Sequence, residues 1–320
     1  MLNVCAPGYA RVIPTMSSVS YTVRPAAIRW HPLVIRYSPV VAVVVAIVVI
    51  WYVAAVLMNM RIVRDQFERD ETPYTFAQLI EGTLTAERPL LPAPHQIVET
   101  FADDVFGWPV TSPRSLVYHS WVTLSATFLG FLLGATFGII LAVLIVHART
   151  LQKSLLPWII CSQMVPILAV APIVIVVLGS IGLRGLLPKA IISAYLCFFP
   201  VTIGVVKGLT SPDPIQRDLM RTWSATPAQI FWKLRWPASM PFLFTSLKVS
   251  ITISLIGAIV AELPTGAQAG IGARLLAGSY YGQTIQIWAA LVAASLVAVG
   301  LIGLVSFFER WVAQSMGARP

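Results

Sequence analysis

Charge is scarce in this chain. Of its 320 residues only 11% are Asp, Glu, Lys or Arg, and 57% are apolar. A soluble domain carries about 25% charged residues, so a soluble globular protein is excluded. Acids are the scarcer sign, thirteen against twenty-two Lys and Arg, for a net charge of +9. Such a balance could suit a nucleic-acid partner, but the basic residues are scattered through short loops beside apolar runs. That is how topology signals are distributed, and no nucleic-acid partner is expected. Cysteine is rarer still, with Cys5, Cys161 and Cys197. Two of the three fall inside apolar runs, so they imply no disulfide framework and read as small hydrophobes.

Catalytic signatures are missing too. No Gly-x-x-x-x-Gly-Lys-Ser/Thr phosphate loop occurs, so the chain is not expected to hydrolyse ATP itself. His-Glu-x-x-His and Gly-x-Ser-x-Gly are also absent, which removes the common zinc-hydrolase and serine-hydrolase readings. The four histidines, His31, His95, His119 and His147, are dispersed. No catalytic residue, metal site or cofactor is expected. An embedded enzyme should show polar groups converging at membrane depth, and none is legible.

What the chain has is long apolar runs. Segments of 18 or more apolar residues predict membrane-spanning helices, and the fold class is an all-α integral membrane protein with six of them. The spans fall at about 39–58, 119–146, 155–178, 188–206, 241–263 and 285–308. The organisation that follows is a cytoplasmic tail at 1–37, a first transmembrane helix at 38–60 and an extracytoplasmic loop at 61–117. A five-helix core at 118–310 and a cytoplasmic tail at 311–320 complete it. Residues 1–37 lack a long apolar core followed by a cleavage site, so they do not read as a cleavable signal peptide, and Met16 offers an alternative start.

The 61–117 loop holds nine of the thirteen acids. Within it LLPAPHQIVETFADDVF predicts a proline-bounded amphipathic helix with Ile97, Val98, Phe101 and Val105 on one side, and His95 reads as a surface loop histidine. In the second span Ala126, Gly130, Gly134, Gly138 and Ala142 recur every four residues, a smooth face that lets another backbone approach closely. The third span contains Pro157, Pro166 and Pro172. Each proline frees a carbonyl that a neighbour, side chain or water must satisfy. Gln163, one turn before Pro166, marks an expected kink beside a wet cavity. In the fifth span Ser246, Ser250, Ser254, Ala258 and Glu262 share one slowly winding face. Two roles are open for it, tight helix packing or the lining of a translocation path, with Gln163, Ser250, Ser254 and Glu262 as the candidate path residues. Gly270 and Gly272 form a Gly-x-Gly pair with no strand before it and no third Gly at the dinucleotide spacing, so it reads as part of a turn-rich re-entrant or capping segment and not a dinucleotide site.

Six spans put both termini on one side. That side carries thirteen Lys and Arg against eight on the other, five of the eight inside the acidic loop. The positive-inside rule therefore makes both termini cytoplasmic. Lys248, in the second turn of the fifth span, is expected to snorkel back to that surface.

One long basic amphipathic stretch lies between the fourth and fifth spans, at 209–238. Asp213 and Pro214 predict a capped helix start, and Ile215, Leu219 and Trp223 form one apolar face. That face is expected to hold the helix against the membrane domain, leaving Arg217, Asp218 and Arg221 exposed. Thr226, Pro227 and Gln229 have capping-box spacing for a second helix, which Pro237 and Pro241 are expected to stop while starting the next segment.

This stretch resembles the cytoplasmic coupling loop of ABC-importer permeases. The family pattern runs Glu-Ala-Ala, three residues, Gly, nine residues, Ile, one residue, Leu-Pro. Asp218-Leu219-Met220 takes the first place, Ser224 the Gly place, Leu234 the Ile place and Trp236-Pro237 the last, without a gap. Of these identities only Pro237 is kept. ASMPFLFTSLKVSITISLIGAIVAEL resembles the following helix of the nitrate/sulfonate/taurine-type branch, and the resemblance covers roughly residues 90 to 310. It implies the type I ABC importer transmembrane-domain fold and a location in the bacterial inner membrane. It also implies two copies of a separate ATPase that bind the ATP, an extracytoplasmic solute-binding protein, and a second permease copy, identical or paralogous. Arg217, Asp218, Leu219, Met220, Arg221, Ser224, Leu234 and Pro237 are then the residues expected to contact the ATPase. The solute would be a small anion or sulfonate, or a pyrimidine-like nitrogenous compound. A secondary ion-coupled transporter is the alternative. It requires intramembrane ionisable groups, and only Glu262 and Glu309 offer carboxylates within or at the end of a span.

Overall fold

The computed structural model describes residues 32–263 and 269–316, which among them form helices and no strand. The expectations on the first 31 residues, on Pro264 and on the last four residues lie outside the described ones. The chain divides into two units, residues 1–48 and 49–320, and the features that bear on function lie in the second.

Helix α1 (Pro32–Arg69) begins earlier than the 38–60 expectation and runs past it. Residues 32–37 are helical, and Ser38 through Ile50 are all exposed. The acidic segment that follows contains two helices. One, α2 (Phe76–Thr85), has no apolar run long enough to announce it, and starts at a Thr75–Gln78 capping box. The other, α3 (Pro94–Phe106), is the proline-started helix predicted there. Ile97 is buried and Phe101 and Val105 pack inward, but Val98 is 66% exposed, being one residue off their four-residue spacing. Asn59 of α1 is fully buried and organises the connection: its Nδ2 donates to the Leu91 carbonyl at 2.8 Å and its Oδ1 accepts from Leu90 N at 2.8 Å. His95 is less a surface residue than expected, since its ring stacks on Tyr52 with centroids 6.0 Å apart.

Three long helices make the core: α4 (Leu116–His147), α7 (Leu186–Thr210) and α10 (Trp236–Glu262), with α7 packed on both of the others. The glycine face of α4 does what its pattern predicts. A Cβ on Gly130 would sit 2.3 Å from Ser193 Cβ, and one on Gly134 only 2.7 Å from the Ala194 carbonyl oxygen. Only a hydrogen fits, so the two backbones meet directly. The serine face of α10 is used in the same way. Ser239, Ser250 and Ser254 are fully buried and Ser246 nearly so. The Ser254 Oγ donates to the Thr127 carbonyl at 2.9 Å, and the Ser193 Oγ donates to the Ser254 carbonyl at 2.9 Å. Of the two roles open for this stripe, packing is the one it plays within the protomer.

The third span is not one kinked helix. It consists of α5 (Arg149–Ser162) and α6 (Ile167–Ser180), bent 96° from each other at a break that contains Gln163 and Pro166. Pro166 has no N–H for the carbonyl of Ser162, four residues earlier, and the Tyr195 hydroxyl donates to that carbonyl instead. Among the described residues five helices are long and apolar enough to cross a membrane, and six spans result if the bent pair counts as one. The chain closes with α11 (Ile271–Tyr281) and α12 (Thr284–Ser315). Lys248 does not end in a free ammonium: it pairs with Glu309, joining α10 to α12.

Candidate functional site

Two features stand out, one at each end of α10. The first is the 209–238 stretch. Asp213 caps α8 (Pro214–Thr222) by accepting from Ile215 N at 2.9 Å. Thr226 and Gln229 close the predicted capping box at α9 (Pro227–Ile230), with Gln229 Oε1 accepting from Thr226 N at 2.9 Å. Two expectations fail here. The second helix is not stopped at Pro237. Phe231–Arg235 winds as a π turn, in which Trp236 N bonds back to the Phe231 carbonyl, and the helix then restarts as α10. Pro237 occupies the first turn of that restart, where a missing N–H is harmless. The result is a single rod from Pro227 to Glu262, 36 residues or about 54 Å long.

The apolar face of α8 is also not turned inward as expected, although Asp218 and Arg221 are exposed as expected. Ile215 is 75% exposed, Leu219 54% and Trp223 75%, while Arg217 and Met220 are the half-buried ones. Asp218 and Arg221 are exposed and pair with each other at 3.4 Å. The apolar stripe is thus presented outward, and none of the described residues covers it. Ser224 has φ +54°, one of two non-glycine residues in the left-handed region among the described residues. It follows α8 as a C-terminal cap, with Ala225 N donating to the Met220 carbonyl at 3.0 Å. A left-handed residue at this point is the geometry for which glycine is the ordinary choice, and Ser224 is the residue aligned with the family's Gly.

The second feature lies at the opposite end of α10. The Glu262 carboxylate is wholly buried and is held by three donors. Thr123 Oγ1 of α4 lies 3.1 and 2.9 Å from its two oxygens, Lys189 Nζ of α7 donates to Oε1 at 3.1 Å, and Gly272 N donates to Oε2 at 2.9 Å. Three consecutive backbone N–H groups before and within α11 are held by side chains. Gly270 N donates to His119 Nδ1 at 3.0 Å, Ile271 N to Thr123 Oγ1 at 2.8 Å and Gly272 N to Glu262. His119 Nε2 lies 2.8 Å from the Pro113 carbonyl. Since Nδ1 accepts, Nε2 carries the proton and the ring is neutral in this arrangement. The Gly-x-Gly pair is therefore more than a turn. Gly270 has φ +128°, and a Cβ there would fall 2.2 Å from the Glu262 carboxylate.

Of the residues proposed from sequence for a path, Ser250, Ser254 and Glu262 are inside the protomer and Gln163 caps the break after α5. Reading the sequence found Glu262 but missed Lys189, Thr123 and His119. A signal existed for Lys189: one lone cation at the start of one span and one lone acid at the end of another, both assigned to the same side.

Residues 134–318 match the family described as binding-protein-dependent transport system inner membrane component. A probable ABC transporter permease protein of Haemophilus influenzae is 32% identical over 182 residues, 57% of this chain and 72% of the relative. The formylaminopyrimidine transport permease protein of Halalkalibacterium halodurans is 30% identical over 193 residues, 60% of this chain and 72% of the relative. The nitrate import permease protein of Synechocystis is 24% identical over 201 residues, 62% and 68% of the two chains. With more than half its length matched to that family, this multi-pass helical chain belongs to the inner membrane components of binding-protein-dependent transport systems, the permeases of ABC importers.

Proposed function

We propose that the chain forms the translocation path of an ATP-driven importer and passes the motion of a separate ATPase to the far face of the membrane. The observation that carries this reading is the exposed Ile215–Leu219–Trp223 stripe of α8, joined through α9 to a rod that ends at Glu262. An uncovered apolar stripe on a short, capped helix is a docking face for a partner groove. The ATPase receives that stripe, with Asp218 and Arg221 at its rim, and a displacement of the loop moves α10 as one body. At the other end α10 is bonded through Glu262 to α4, α7 and α11, so the same displacement acts on all four helices. In this reading both termini and the 209–238 stretch are cytoplasmic, the 61–117 segment is extracytoplasmic and the membrane is a bacterial inner membrane. A second permease copy, identical or paralogous, completes the pore. Two ATPase copies bind the ATP, so no cofactor resides in this chain. An extracytoplasmic binding protein delivers a small nitrate-, sulfonate- or taurine-like or pyrimidine-like solute. The path passes the break at Gln163 and the end of α10 at Glu262, with the serines of α10 behind it as packing.

The test is a complex purified through this chain and reconstituted in vesicles. An ATPase subunit should copurify, and ATP should drive uptake. Asp218→Lys should leave the helical content unchanged while separating hydrolysis from uptake or releasing the ATPase. Uptake driven by an ion gradient without ATP would refute the reading.

A further inference from the structure

Lys189 does two things at once. Inward, its ammonium donates to Glu262 Oε1 and to the Ala269 carbonyl, both at 3.1 Å. An ammonium has three N–H donors, and the third has no acceptor among the described residues. Outward, the side chain keeps 12% of its surface exposed and lines a cleft of about 990 Å³, together with Tyr118, Ser125, Arg184, Ala261 and Ala269. Arg184 is exposed and makes no ion pair among the described residues. Among the described residues no carboxylate lines the cleft, and Glu262 is fully buried. Two cations against one buried acid leave an excess positive charge at a concave, partly apolar surface. Such a surface raises the local concentration of anions.

We propose that this cleft is a binding subsite for a small oxyanion-bearing solute, whose anionic group takes the free N–H of Lys189 with the Arg184 guanidinium as second cation. Glu262 and the Ala269 carbonyl position Lys189 for this by each holding one of its three donors inward. That the occupant is the transported solute rests on the permease reading; that the cleft selects anions does not. The same oxyanion chemistry is offered by a lipid phosphate, and the experiment separates the two sources.

The test uses the assembled complex in phosphatidylcholine nanodiscs, with Cys5→Ser, Cys161→Ser and Cys197→Ala, and one new thiol from Ser125→Cys. Its reaction with an anionic sulfonatoethyl and a cationic trimethylammonioethyl methanethiosulfonate is measured, each rate divided by that of a free thiol. The anion should be favoured on the order of tenfold, Arg184→Gln should lower that preference several-fold, and methanesulfonate should slow labelling where urea does not. In the paired variant Lys189→Met, Glu262→Gln, which leaves no lone buried charge, protection by methanesulfonate should vanish while a neutral methylating reagent still reacts. No anion preference, no effect of Arg184→Gln, or no protection by methanesulfonate would each overturn the proposal. Loss of the preference on adding phosphatidylglycerol, without protection by methanesulfonate, would assign the cleft to a lipid headgroup and also overturn it. Failure of ATP-driven uptake with the preference intact would instead sink the permease reading alone.

Discussion

Replacing Lys189 by methionine takes away the cation paired with Glu262 and leaves a carboxylate with no exposed surface. Removing one partner of a buried ion pair costs about 3–5 kcal/mol, because the other charge stays buried and uncompensated. Two donors remain on Glu262, Thr123 Oγ1 and Gly272 N. They place the expected loss at the lower end, about 3 kcal/mol. Adding Glu262→Gln removes the stranded charge. The amide oxygen can still accept from Gly272 N, and its NH2 group can donate to the Ala269 carbonyl that Lys189 vacates. The double variant should therefore be more stable than Lys189→Met alone, with a coupling of at least about 1 kcal/mol in the cycle. Glu262→Gln by itself should be destabilised too, because its NH2 must then face Lys189 or Gly272 N, donor against donor. The assay is reversible unfolding in mixed micelles with rising dodecyl sulfate, followed by tryptophan fluorescence and far-ultraviolet dichroism. Lys189→Met within about 0.5 kcal/mol of the parent, well inside the 3–5 kcal/mol range, would refute the reasoning.

Gly134→Leu should separate α4 from α7, since even a Cβ there would lie 2.7 Å from the Ala194 carbonyl oxygen; a loss of about 1–3 kcal/mol or more is expected in the same unfolding assay. Ser224→Gly should be neutral to stabilising by up to about 1 kcal/mol, because it relieves a left-handed residue, whereas Ser224→Val should cost about 1–2 kcal/mol. Single cysteines from Ser112→Cys and Ser211→Cys should react with an impermeant thiol reagent from opposite sides of sealed vesicles, and reaction of both from the same side would contradict the six-span topology.

What was legible in the sequence followed from local rules. Apolar length announced the spans, four-residue glycine spacing announced the α4–α7 contact, and Asp213 and Thr226–Gln229 announced their caps because each needs only near neighbours. The break at Pro166 was legible as a kink, but neither its 96° angle nor the Tyr195 hydroxyl that bonds the freed Ser162 carbonyl from another helix could be read from local spacing. The constellation around Glu262 was legible only at one residue, since Thr123, Lys189 and Gly272 lie 139, 73 and 10 positions away. No periodicity links them. The orientation of α8 was misread for a related reason. An apolar stripe on a helix states that something will cover it, and not whether the cover is the same chain or another.

The most direct test of the account is a photo-activated cross-linker placed at Leu219, in the middle of the exposed stripe of α8, in a complex that imports its solute. The account predicts a cross-link to the ATPase subunit, with a yield that changes between nucleotide-free and ATP-bound states. A transport-active complex in which Leu219 cross-links only to lipid or to the permease itself, in every nucleotide state, would contradict it.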